Sequence, residues 1–166
     1  MYQKNTLINL WMVLNDLPMA VAFVRGNAEY PGINGTVKFF QTPKGTVVWA
    51  EIFGFPDLNQ KCGNDIFAFH IHGGTSCTGN VKDSFADAGT HYNPTDCPHP
   101  YHAGDMPPLF SAKKTAILIF LTDRFTTDEV IGKTVIIHDS PDDFTTQPSG
   151  NAGQKIACGK IVAVRR

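Results

Sequence analysis

Residues 35–54 read GTVKFFQTPKGTVVWAEIFG, two runs rich in β-branched and aromatic residues separated by Thr-Pro-Lys-Gly. Side chains of these types favour extended strands, and a link this short predicts a tight hairpin turn. Gly45 closes the link and is free to take a positive φ. The stretch therefore predicts two adjacent antiparallel strands, at 35–41 and 45–54.

Clusters of Gly, Pro and Asn cut the rest of the chain into similar runs. Further strands are predicted at 20–26, 66–72, 115–121, 133–138 and 156–164, with a short eighth strand at 84–88. The only predicted helical turn spans residues 127–131, with Thr127 as its N-cap. Many short strands joined by polar turns indicate an all-β fold, an eight-stranded Greek-key β-sandwich or flattened barrel.

Two segments are too long for simple turns: residues 73–114 and 139–155. Loops of this length are unusual in a compact domain unless something holds them, so we interpret them as two long functional loops. The first contains three histidines and Asp105, and the second contains Asp142. Metal coordination would order both.

The composition is that of a globular protein, with 42% hydrophobic and 17% charged residues in a chain of 166. A formal net charge of −1 without Lys/Arg runs argues against nucleic acid or an anionic membrane as partner. The apolar run at 6–14 is interrupted by Asn9 and lacks a cleavage site, so a signal peptide is not predicted and a cytoplasmic location is expected. We predict an N-terminal arm at 1–19, packed on the domain or on a partner subunit, and a functional domain at 20–166.

The histidines are concentrated in one part of the chain. All six lie between residues 70 and 138, at His70, His72, His91, His99, His102 and His138. Imidazole is the commonest protein ligand for copper and zinc, so the clustering suggests a shared purpose. On a strand, alternation places His70 and His72 on the face opposite Phe67, Phe69 and Ile71.

Four potential nitrogen and oxygen ligands occur within fifteen residues between His91 and Asp105. Three imidazoles and one carboxylate match the tetrahedral preference of zinc, which would order this part of the first long loop.

Four motifs carry a resemblance to a known family: FHIH at 69–72, AGTHYNP at 88–94, HAGD at 102–105 and GNAGQKIACG at 150–159. Together they resemble the copper/zinc superoxide dismutase family from about residue 20 to residue 164, which is nearly the whole chain. The links at 73–77 and 142–148 resemble its bacterial branch.

The resemblance implies dismutation of superoxide to dioxygen and hydrogen peroxide, with copper and zinc as cofactors. It makes His70, His72, His91 and His138 the copper ligands, and His91, His99, His102 and Asp105 the zinc ligands. His91 would bridge both metals as an imidazolate and carry a proton. Asp142 would hydrogen-bond His70 and His99, with Asp143 as a competing choice.

Lys155 stands where the family commonly has an arginine that guides superoxide to copper. Together with His91 it is a candidate catalytic residue, because lysine keeps the positive charge although it loses the planar fork of donors. The resemblance leaves the oligomeric state open, with a homodimer as one alternative.

The four cysteines give two conflicting indications. Without a signal peptide, reduced thiols are the default, whereas the resemblance implies a disulfide between Cys77 and Cys158. Cys62 and Cys97 lie outside the family's framework. Cys97 could compete for zinc, pair with Cys62 or remain a free thiol.

Two other functions remain to be compared with dismutation. A non-catalytic copper/zinc-binding β-sandwich protein would be favoured by loss of a copper ligand, and no ligand is missing here. A zinc hydrolase would need an open zinc position, but four protein ligands would close the site.

Overall fold

The computed structural model describes residues 9–56 and 65–165. The strands within these ranges are β1 Ala20–Gly26, β2 Asn34–Thr42, β3 Gly45–Phe53, β4 Ile66–Phe67, β5 Phe69–His72, β6 Leu109–Phe110, β7 Thr115–Thr122, β8 Thr134–His138 and β9 Lys155–Ala163. Two short helices, α1 Leu10–Asn15 and α2 Thr127–Val130, and a 3-10 turn at Ala86–Ala88 complete the described elements.

Seven of the strands form one antiparallel sheet in the order β5-β8-β9-β1-β2-β3-β7, and β4 pairs separately with β6. A single buried cluster includes Ile71 near one end of the sheet and Ala116 near the other. The sheet therefore curls around one core, and the predicted all-β class is confirmed.

The hairpin predicted from residues 35–54 is present. Thr42 pairs with Gly45, so that only Pro43 and Lys44 form the turn, and Gly45 has a φ of 128°. The Thr42 hydroxyl donates to the Gly45 carbonyl at 2.8 Å. This turn aligns the two longest neighbouring strands of the sheet.

Three predicted elements need correction. The predicted strand at 84–88 is instead the 3-10 turn, because the Asp83 carboxylate accepts the Phe85 N–H at 3.0 Å and starts a turn. The predicted strand at 66–72 is divided into β4 and β5 at Ala68. The α2 helix has Thr126 rather than Thr127 as its N-cap, with Glu129 accepting the Thr126 N–H at 2.6 Å.

The prediction of a single helical turn was also wrong, because α1 precedes the sheet. Asn9, which we interpreted as an interruption, is its N-cap and accepts the Met12 N–H at 3.3 Å. No residue of α1 is buried. After α1, the Met19 N–H donates a hydrogen bond to the Phe39 carbonyl of β2. The Met19 carbonyl accepts a hydrogen bond from the Val164 N–H near the end of the chain.

The division into an arm at 1–19 and a domain at 20–166 stays a prediction, since residues 1–8 lie outside the described residues. Within the described ranges, each helix is too short to cross a membrane.

Candidate metal centre

Three histidines are brought together by two neighbouring strands. His70 and His72 lie on β5, and His138 ends β8, which pairs with β5. The Nε2 atoms of His72 and His138 are 3.3 Å apart. Phe67, Phe69 and Ile71 belong to the hydrophobic core, so the predicted alternation of faces is observed.

His91 joins this group from the first long loop. Backbone hydrogen bonds from Gly73 to Thr90 and from Tyr92 to Ile71, each 2.8 Å, hold the loop beside β5. The ligand atoms of His70, His72, His91 and His138 all lie within 4.8 Å of one another, and all four residues are buried.

A second group forms around Asp105 and shares His91. Its members are His91, His99, His102 and Asp105, with ligand atoms again within 4.8 Å of one another. Asp105 Oδ1 lies 2.7 Å from His91 Nδ1, and Asp105 Oδ2 lies 3.1 Å from His99 Nδ1. Because Nδ1 of His91 faces this group, its Nε2 is left for the first group.

The residues fit two metal ions. His70 Nδ1 and His91 Nε2 are buried without a hydrogen-bond partner, and His99 Nδ1 has none beyond its 3.1 Å contact with Asp105. A buried polar atom left unsatisfied costs about 1–3 kcal/mol, and a cation at each group would satisfy all three. Burial also lowers the pKa of His72 well below its usual value and that of His138 to about 3, which keeps both imidazoles in the neutral form that binds metals.

Asp142 contacts one histidine of each group, at the ring nitrogen that faces away from the metal position. Its Oδ2 lies 2.8 Å from His70 Nε2 and its Oδ1 lies 2.9 Å from His99 Nε2. When both Nε2 atoms donate to this carboxylate, both Nδ1 atoms are left to face the metal positions. Asp143, the competing choice, is exposed and accepts hydrogen bonds from Thr145 and Thr146 instead.

The other two imidazoles of the first group are oriented by backbone carbonyls. His72 Nδ1 lies 2.8 Å from the Gly89 oxygen, and His138 Nδ1 lies 3.3 Å from the Gly153 oxygen. Donation to these oxygens leaves Nε2 of each ring free for a metal. Both carbonyls belong to the two long loops.

Sequence reasoning missed three residues that support the centre. Gly150, with a φ of 67°, lies so close to Asp142 that an added Cβ would overlap its carboxylate. Gln147 holds the His99 backbone through two hydrogen bonds, of 3.0 and 2.7 Å. Arg124 donates to the carbonyls of Pro100, His102 and Asp105. Only the glycine had a sequence signal, since glycine often marks a close approach or a positive φ.

The first group opens into a cavity of about 600 Å³. His72, His91 and His138 line it, and so does Lys155. The Lys155 ammonium lies 2.7 Å from the Asp83 carboxylate, an ion pair that the sequence analysis did not anticipate. The lysine therefore lines the same cavity as three ligands of the first group but is held by a partner there.

The predicted disulfide between Cys77 and Cys158 is confirmed. It ties the first long loop to β9, and its Cα atoms are 5.7 Å apart. Cys97 is a free thiol and belongs to neither ligand group among the described residues. Cys62 lies outside the described residues.

Comparisons with known proteins point in the same direction. The family profile described as copper/zinc superoxide dismutase matches residues 33–161. The chain is 30% identical over 142 residues to superoxide dismutase [Cu-Zn] 2 of Aquifex aeolicus, a match that covers 76% of this chain and 78% of that protein. It is 33% identical over 141 residues to superoxide dismutase [Cu-Zn] of Photobacterium leiognathi, with 76% and 78% covered. The corresponding protein of Deinococcus radiodurans is 30% identical over 150 residues, with 80% and 79% covered.

Proposed function

The chain belongs to the copper/zinc superoxide dismutase family, and from this premise we propose that it converts two superoxide ions and two protons to dioxygen and hydrogen peroxide. The observation that carries the proposal is the convergence of seven buried or half-buried ligands into two groups that share His91. A shared imidazole between two metal positions suits a paired copper and zinc centre.

The chemistry of the donors assigns a metal to each group. Four imidazoles, from His70, His72, His91 and His138, suit copper, whereas three imidazoles and the Asp105 carboxylate suit tetrahedral zinc. When bound, copper supplies one-electron redox chemistry, and zinc, which has no accessible redox change, supplies charge and a fixed frame.

His91 is the proposed proton carrier. Its Nδ1 is held 2.7 Å from Asp105, while its Nε2 is buried without a hydrogen-bond partner and the ring lines the cavity. A proton taken up at Nε2 can therefore be delivered to a substrate in the cavity. The second proton that the products require comes from solvent, which reaches the same opening.

Lys155 is the proposed attractant for the superoxide anion. It lines the cavity beside His138, with which it pairs in the sheet. Anions are drawn into clefts of positive potential, and salt weakens the effect. The strength of this attraction depends on the partner of the ammonium group.

Metal analysis combined with a superoxide-consumption assay tests this function. After loading with copper and zinc, we expect one of each metal per chain and a rate of superoxide decay far above that of the metal-free protein. His138→Ala should lose copper and activity but keep zinc, whereas His102→Ala should weaken zinc first. Protein that binds both metals without accelerating superoxide decay would indicate the non-catalytic alternative.

The absence of nucleic acid and membrane partners, a homodimer and a cytoplasmic location are further proposals. The formal net charge of −1 supports neither nucleic acid nor an anionic membrane as partner. Light scattering tests the homodimer, and cell fractionation tests the cytoplasmic location.

A further inference from the structure

Lys155 and Asp83 form an ion pair in the wall of the metal-site cavity. Lys155 begins β9, opposite His138 in the sheet, and Asp83 lies in the first long loop. Both residues line the cavity together with His72 and His91. Any anion that approaches the copper ligands from solvent therefore passes both charges.

The pair is tightly held by further contacts. The Lys155 ammonium donates to Asp83 Oδ2 at 2.7 Å and to the Phe85 carbonyl at 3.3 Å. The other carboxylate oxygen of Asp83 accepts the Phe85 N–H at 3.0 Å. Burial opposes ionisation of Asp83, but the hydrogen bonds from Lys155 and Phe85 prevail and lower its pKa. The Asp83 carboxylate is therefore charged at neutral pH.

The charges lie at the centre itself. Lys155 pairs with His138 in the sheet, and both residues line the cavity. The Lys155 side chain is only 15% exposed, so water screens it incompletely. A carboxylate in contact with the ammonium therefore cancels much of the attraction that Lys155 would exert on an anion near His138.

The rest of the cavity wall does not restore this attraction. Apart from the histidines, the charged residues that line the described cavity are Glu29, Lys82, Asp83 and Lys155. Two are acidic and two are basic, so their formal charges cancel.

We propose that Asp83 sets how strongly the cavity attracts superoxide and other small anions, by neutralising Lys155. The inference rests on the proposed function. Asp83 would act through Lys155 without touching the substrate, and removal of its charge would leave Lys155 in place but unopposed.

Asp83→Asn removes the charge at nearly constant size, and its single amide oxygen can keep one of the two contacts, with the Lys155 ammonium or with the Phe85 N–H. In copper- and zinc-loaded protein, we expect azide to bind about 2- to 10-fold more tightly at low ionic strength, measured by titration of the copper absorption band. The superoxide rate constant should rise by a similar factor, and both gains should shrink as salt is added.

Asp87→Asn is the matched control, since it changes the net charge equally in the same loop but does not line the cavity. It should alter azide binding far less. Equal effects of the two variants, or an azide affinity that is unchanged or lower in Asp83→Asn, would overturn the inference. Azide binding needs no turnover, so a protein that failed as a dismutase would still test Asp83.

The ionic-strength dependence of azide binding provides a second test. Because bound copper and zinc are themselves positive, the azide affinity of the metal-loaded unaltered protein should fall with salt, but less steeply than that of Asp83→Asn, in which Lys155 is unopposed. An equally steep fall in the two proteins would show that Lys155 already acts as an uncompensated charge, and would contradict the role of Asp83.

Discussion

Gly150→Ala should weaken the metal centre although residue 150 is not a ligand. A Cβ at this position would overlap Asp142 Oδ1 and lie 2.7 Å from His99 Nε2. Asp142 would have to move, and its contacts with His70 and His99 would be lost or lengthened. Gly132→Ala is a matched control, because Gly132 also has a positive φ, of 89°, but an added Cβ there meets nothing within 4 Å.

The expected free-energy costs of the two substitutions differ. Both place a Cβ at a positive φ, which costs about 1–2 kcal/mol. Gly150→Ala additionally disturbs hydrogen bonds to a carboxylate, each worth about 1.5–3 kcal/mol. Loss of such a contact behind a ligand typically weakens metal binding by about 10- to 100-fold. Only Gly150→Ala should therefore lose zinc affinity.

Two measurements test this reasoning. Chemical denaturation of the metal-free proteins should give a lower free energy of unfolding for both variants, with the larger loss in Gly150→Ala. Competition with a zinc chelator should show weakened binding in Gly150→Ala and nearly unchanged binding in Gly132→Ala. If both variants retained the zinc affinity of the unaltered protein, the contact between Asp142 and His99 would not support the zinc ligands.

Replacing Cys77 and Cys158 with serine should lower the free energy of unfolding by about 4 kcal/mol, because the disulfide closes a sequence separation of 81; an unchanged urea midpoint would contradict this. Lys155→Glu should slow superoxide consumption at low salt, because a third carboxylate would then line the cavity beside those of Glu29 and Asp83, whereas Lys155→Arg should preserve it; pulse radiolysis at matched copper content distinguishes them. In the metal-free protein, burial lowers the pKa of His138 from 6.5 to about 3, so the unfolded chain binds more protons between these values. Stability should therefore fall as the pH drops from about 6.5 towards 3, and a flat denaturation profile would be evidence against buried neutral imidazoles.

The parts of the fold that the sequence predicted depend on local patterns. Alternation along a strand separates His70 and His72 from the core side chains between them, because the two-residue period is a property of the backbone itself. The turn at Pro43 and Lys44 follows from residue preferences in the same way. The four zinc ligands were also indicated by their spacing, within fifteen residues, whereas the copper ligands and the shared role of His91 were reached through the resemblance of four motifs to a known family.

The parts that were missed depend on contacts between distant residues. Asp83 and Lys155 are 72 positions apart, and nothing in either neighbourhood indicates that they pair. Gln147 and His99 are 48 positions apart and meet only once both long loops are in place. The helix α1 was missed for another reason, since an asparagine can either interrupt an apolar run or cap a helix.

The Asp142 bridge has a consequence for the order in which the two metals are acquired. A single carboxylate contacts His70 of one group and His99 of the other, and His91 belongs to both, so binding at one group changes the free energy of binding at the other. Thermodynamic linkage requires that zinc alter the copper affinity by the same factor by which copper alters the zinc affinity. Chains given zinc first and chains given copper first must therefore reach the same final distribution of empty, half-filled and filled centres. Any lasting difference between the two would be kinetic in origin.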